Sequence, residues 1–145
     1  MVGRVYAIVP AVRNVADALP FIRWLHLLAA ATWTGGLIVL AALVVALRKA
    51  GADRSHLQAA ARQFGRVSWI AMAIAVTTGV AQVHAMGIAW TYGRLHIKLT
   101  LVAAAIVVAA VHTFTARRSS AAARGIQQLV ILLLGLAIFG AAVSL

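Results

Sequence analysis

The chain has 145 residues, 64% hydrophobic and 10% charged, with a formal net charge of +11. A soluble domain is about one quarter charged and could not hide this much apolar surface from water, so the composition points to a lipid bilayer as the solvent. There is no cysteine, which excludes disulfides, thiolate-bound zinc and iron–sulfur chemistry.

Residues 1–20, "MVGRVYAIVPAVRNVADALP", lack the roughly 7–15-residue apolar core of a cleavable secretory signal. Val5, Ile8, Val9, Val12, Val15 and Leu19 recur at helical spacing, with Arg13 and Asp17 elsewhere. The pattern predicts a short interfacial helix on the membrane surface, begun by Pro10 and stopped by Pro20. Four charge-free stretches follow: between Arg23 and Arg48, between Arg66 and Arg94, between Lys98 and Arg117, and after Arg124. Each is at or near the roughly 20 residues that cross a hydrocarbon core. They predict transmembrane helices over about 22–47, 66–88, 95–116 and 125–144. Nothing alternates with period two, which argues against a β-barrel. The expected fold is therefore all-α: a four-helix transmembrane up-down bundle over 21–145, preceded by the interfacial segment 1–20.

Between the first two spans, "SHLQ" has the spacing of a capping box, Ser55 to Gln58, which predicts that helix 2 starts near residue 56 and extends beyond the membrane. Leu57, Ala61 and Phe64 then share one face. Gly35, Gly36, Gly79, Gly135 and Gly140 are small enough to let helices approach closely or to leave room for a flat ligand.

Charge orients the bundle. The end opposite the termini carries Arg48, Lys49, Arg54, Arg62, Arg66, Arg117, Arg118 and Arg124. The terminal end carries Arg4, Arg13, Arg23, Arg94 and Lys98, with Trp24, Trp90 and Tyr92 as an aromatic belt. The positive-inside rule then places both termini outside, in a bacterial inner membrane. The basic residues flank spans and meet headgroups, so +11 is not a nucleic-acid signal.

Of five histidines, His56 falls in the connection after the first span. His26 in helix 1, His84 in helix 2 and His96 in helix 3 sit at similar depth near the outer face, whereas His112 is near the other. At about 100° per residue, His26, Ala30, Trp33 and Leu37 share a stripe, as do Thr77, Ala81 and His84. On helix 3, Lys98, Ala105 and His112 share one stripe, with His96 and Thr100 nearly opposite, so Lys98 and His96 cannot both face one partner.

The common depth suggests a metal centre. One reading is a single b-type haem, with His26 and His84 as axial pair and His96 as substitute. Arg23, Arg94 and Lys98 would compensate propionates or bind an anionic substrate, and Trp33 would wall the porphyrin. Such a protein would pass electrons between a quinone or other membrane partner and an external acceptor, as an oxidoreductase or an electron-transfer subunit. A second reading is copper, with Met86 beside His84, though these diverge unless the helix unwinds at Gly87. A third is a structural subunit of a larger respiratory complex. Against all of these stands the plainer alternative of histidines hydrogen-bonded to a neighbouring helix. The only acids, Asp17 and Asp53, lie outside the spans, which disfavours a proton carrier built on buried carboxylates.

"WLHLLAAATWTGGLIVL" in helix 1, "TTGVAQ" in helix 2 and "YGRLHIKLTLVAAAIVVAAVH" in helix 3 together resemble the copper-resistance D (CopD-like) membrane domain over roughly residues 20–145. The matching positions are His26 with Trp33, Gly35 and Gly36; Thr78 and Gly79; and Gly93, Arg94, Leu95, Lys98 and Leu99. This resemblance implies a role in copper uptake across the inner membrane, often with a periplasmic copper-binding partner. The chain is also similar, more weakly, to HemJ-type protoporphyrinogen oxidase, a four-helix haem-binding relative, at His26, Lys98 and His112. Where those chains carry an "LPRLFVYH"-like run, this one has "IVLAALVVALRK". The resemblance therefore favours a haem or metal site at His26 over either named activity.

Overall fold

The computed structural model describes the backbone of residues 3–116 and 118–143, and the side chains of that set from residue 17 onward. It contains four helices, α1 Gly3–Lys49, α2 Arg54–Ala85, α3 Gly93–Thr115 and α4 Ala121–Val143, and no strand among the described residues. Each is long and apolar enough to cross a membrane, α1 doing so with its Asp17–Lys49 portion. The all-α four-helix membrane architecture is as expected.

Two boundaries differ from the expectation. α1 runs unbroken from Gly3, so Pro20 lies inside it and does not stop a separate short helix. A helical proline loses one hydrogen bond. In apolar surroundings a full break would strand several more backbone groups, so continuity costs less. The interfacial face formed by Val5, Ile8, Val9, Val12 and Val15 lies outside the described side chains. α2 begins at Arg54 with Asp53 at its N-cap and no side-chain cap bond, so Ser55 and Gln58 lie within the helix instead of forming a capping box.

The turns explain where two helices end. Gly51 has φ +74° and Gly87 has φ +64°, values that L side chains adopt at a cost. After α1, Gly51 N–H donates to the Arg48 carbonyl and Ala52 N–H to the Leu47 carbonyl. After α2, Gly87 N–H donates to His84 and Ile88 N–H to Val83. Both are Schellman closures, which satisfy the last carbonyls of a helix. At the α3–α4 connection a side chain helps: Arg124 donates to the Ala116 and Ser119 carbonyls at 3.1 and 2.7 Å.

α1 lies along α2, α3 along α4, and α1 also meets α4; α2 and α3 lack comparable backbone contact. One side-chain bond spans that seam, from Trp69 Nε1–H to Thr113 Oγ1 at 3.3 Å. The core is small: Trp33, Leu37, Ala71, Met72, Ala105 and Ile131, with Phe64 packed on its edge. Ile70, Val107, Phe114, Leu129 and Leu133 face outward, the reverse of a water-soluble bundle. This is an integral membrane protein, with its apolar surface turned to the bilayer.

Lipid tails are as apolar as the helices, so association must come from close packing. Gly36 shows this. A Cβ there would run into the Phe64 ring, whereas one on Gly35 would meet nothing. Gly36→Ala is therefore expected to destabilise the bundle by about 1–3 kcal/mol, with Gly35→Ala near neutral. Thermal unfolding of both variants in the same detergent checks this, and equal midpoints would contradict the packing.

Candidate functional site

A cavity of about 140 Å³ lies at the centre of the bundle, lined by all four helices. His26, Lys98 and Trp90 lie towards the α2–α3 connection; Trp33, Thr34 and Gly135 line the deeper part. Most of the remaining lining is aliphatic, including Met72, Val83, Leu95 and Ile138.

His26 is the best-defined group. Its Nδ1 lies 2.8 Å from the Ala75 carbonyl and 3.1 Å from Thr78 Oγ1. A carbonyl can only accept, so Nδ1 carries the proton. Thr78 sends its own hydroxyl proton to the Ile74 carbonyl at 2.6 Å and receives the imidazole N–H as a second acceptor. The consequence is a chosen tautomer in which Nε2 keeps its lone pair. A histidine oriented through one nitrogen by a backbone carbonyl, with the other free, is the usual preparation of a metal ligand. Gly79 makes room: a Cβ there would stand 3.2 Å from His26 Cε1. Thr78 and Gly79, adjacent in sequence, thus hold and accommodate one ring from α1.

Lys98 lines the same cavity, half-buried. The two acids, Asp17 and Asp53, belong to the start of the first apolar span and to the α1–α2 turn. Lys98 has no carboxylate partner among the described residues.

The other expected ligands lie elsewhere. His84 is exposed and packs edge-on against Trp90, ring centroids 5.3 Å apart. His96 is exposed on the outer face of α3. Among the described residues no three His, Asp or Glu side chains come together as a metal site. Histidines expected at one depth thus differ in direction: His26 turns inward, whereas His84 and His96 are exposed. Met86 Sδ accepts from Arg23 Nη2 at 3.4 Å, so it turns to α1 and not to His84. Arg94 is exposed near the N-terminus of α3. His112 has a structural role, its Nδ1–H donating to Gln127 Oε1 at 3.0 Å and tying α3 to α4.

Thr34 was not singled out from sequence, and Trp33 was expected only as a porphyrin wall. Trp33 Nε1 and Thr34 Oγ1 are buried without a hydrogen-bond partner among the described residues. Threonine inside a helix commonly bonds back to a carbonyl one turn earlier, as Thr77, Thr100 and Thr113 do; sequence alone does not reveal that Thr34 departs from this habit.

Comparison with known proteins returned no match to a family model, a curated protein or a solved structure.

The tautomer of His26 is directly testable. In ¹⁵N-histidine NMR of the micellar protein at neutral pH, His26 is expected as the neutral Nδ1–H form, and Thr78→Val should weaken but not abolish that preference, because the Ala75 carbonyl remains. An Nε2–H tautomer would contradict the geometry.

Proposed function

We propose that this protein is a small membrane haem protein of CopD-like type, binding one b-type haem through His26 and serving electron transfer at the outer side of a bacterial inner membrane. The observation that carries the reading is the His26 Nδ1–H bond to the Ala75 carbonyl, which leaves Nε2 as a ligand beside an apolar cavity.

The residues fit an iron held by one imidazole. They do not fit the two-histidine pair, since His84 and His96 are exposed and neither lines the cavity. Lys98 is placed to neutralise an acidic substituent of the ligand, in the manner of a propionate partner. Trp33, Trp90 and Phe139 supply flat apolar wall. At about 140 Å³ the space is of the size that takes one aromatic ring. A macrocycle therefore requires widening, and the α2–α3 seam, which lacks close backbone packing, is where least is lost by it. When bound, haem supplies one-electron chemistry; His26 would hold the iron, and the aliphatic lining would keep water away.

No contact favours the copper reading, because His84 and Met86 engage different partners. On this reading both termini lie outside, which is supported by the basic residues of the opposite end, Arg48, Lys49, Arg54, Arg62, Arg66, Arg118 and Arg124. The electron donor on this reading is a lipid-soluble carrier or a membrane partner against the exposed helix faces.

The test is the visible spectrum of detergent-purified protein from haem-replete cells. A reduced b-type Soret and α band is expected, lost in His26→Ala and kept in His84→Ala and His96→Ala. A preparation that binds no haem on reconstitution, or a band indifferent to His26→Ala, defeats the reading.

A further inference from the structure

One stripe of α2 joins the basic end of the bundle to its lipid-facing flank. Arg62, Arg66, Trp69, Ala73, Val76 and Val80 follow one another at steps of three or four residues, so they share a helix face. All six are exposed. The stripe opens with two cations, passes through an indole and continues as small and aliphatic side chains.

One hydrogen bond fixes its height. Trp69 Nε1–H donates to Thr113 Oγ1 of α3 at 3.3 Å, which sets residue 69 level with residue 113. Arg66 is three residues, or about 4.5 Å, nearer the basic end. It is therefore level with the end of α3 at Thr115, and Arg62 lies about one turn beyond. Helix lengths agree. The 32 residues of α2 run for about 48 Å, which exceeds a hydrocarbon core of about 30 Å by roughly twelve residues. That excess is the segment from Arg54 to about residue 65, and it leaves Arg66 where hydrocarbon gives way to headgroups.

Nothing of opposite charge is within reach of the pair. The chain's only acidic side chains are Asp17 and Asp53. Asp53, the N-cap of α2, is nine and thirteen residues from Arg62 and Arg66, about 14 and 20 Å along the axis. Asp17 begins the first apolar span, at the other end of the bundle. Arg124 is already spent on the Ala116 and Ser119 carbonyls. Arg118, exposed in the turn after α3, adds positive charge near the level of Arg66. Side chains four apart on a helix are neighbours, so the guanidinium groups of Arg62 and Arg66 can reach one phosphate group together, the geometry in which arginine binds phosphate best.

We propose that this stripe is a binding site for an anionic phospholipid, its phosphate oxygens accepting from Arg62 and Arg66 and one acyl chain lying over Trp69 and down Ala73, Val76 and Val80. A lipid is favoured over a soluble anion because the cations stand at headgroup depth with an exposed apolar strip directly beneath them. The Trp69 N–H is engaged by Thr113, so the indole offers the chain only apolar surface. α2 and α3 lack close backbone packing here, which leaves the flank of the stripe open to the bilayer. The site uses neither His26 nor Lys98 and stands apart from the haem reading.

The test uses the full chain in phosphatidylcholine nanodiscs into which brominated-chain phosphatidylglycerol or brominated-chain phosphatidylcholine is titrated. The Trp69 signal is the difference in fluorescence quenching between the wild type and Trp69→Phe. Phosphatidylglycerol is expected to half-quench Trp69 at about a five- to tenfold lower mole fraction than phosphatidylcholine, and Arg62→Gln/Arg66→Gln should bring the two lipids within about twofold. Arg48→Gln/Lys49→Gln, at the same end but on α1, should leave the preference in place. Inorganic phosphate should compete no better than chloride at equal ionic strength. Equal quenching by the two lipids, an undiminished preference in Arg62→Gln/Arg66→Gln, or an equal loss in the α1 variant overturns the proposal; so does competition by inorganic phosphate, which would make the site one for a free anion. Should Trp69→Phe misfold, native mass spectrometry of the wild type and the α2 variant decides, through phosphatidylglycerol retained by the first and lost from the second.

Discussion

The bond from His26 Nδ1–H to the Ala75 carbonyl joins α1 to α2 at the level where the cavity begins. In a bilayer no water competes for either group, so the ring is held in one tautomer and one orientation. The bond forms only because α2 offers a carbonyl and a hydroxyl at the right height, and because Gly79 carries no side chain in the way. A single glycine in α2 thereby decides whether the imidazole of α1 can sit where it does.

The same economy runs through the bundle. Gly36 accepts the Phe64 ring, and Gly135 accepts Trp33 and Thr34. Three helix contacts are each closed by a glycine facing a bulky or polar side chain. Membrane helices have no water to escape from when they pair, so backbone proximity is their main means of gaining contact. α2 and α3 lack this arrangement. They meet through the Trp69–Thr113 bond and through aliphatic side chains that also line the cavity. The bundle is thus closest between α1 and α2 and between α3 and α4, and loose between α2 and α3, where it gives on to the cavity.

Charge follows from the near absence of acids. Lys98 and His26 are basic groups on one cavity, and the two carboxylates of the chain lie at span ends or turns. Nothing on the described helices neutralises Lys98 by ion pairing. Arg124, by contrast, is placed against the carbonyls that close α3, where positive charge meets the negative end of a helix.

Much of the architecture was legible in the residues alone. Four long apolar stretches separated by arginines can be little else but four membrane helices, since hydrocarbon tolerates no other backbone arrangement for such segments. The stripe His26, Ala30, Trp33 and Leu37 was readable too, and it does face inward, with Trp33 and Leu37 buried. So was the opposition of Lys98 and His96 on α3, though not which of them turns to the cavity. Depth along a helix is counted from residues, but rotation about the axis is set by packing against neighbours. The expectation that His84 faces the site therefore fails, because its side chain is exposed. The tertiary structure alone decided that Thr78 and Gly79 would meet His26, that Met86 would turn to Arg23, and that Trp33 Nε1 and Thr34 Oγ1 would be enclosed without partners among the described residues. Each of these depends on which backbone comes close to which, and that distance is a property of the assembled bundle and not of any one segment.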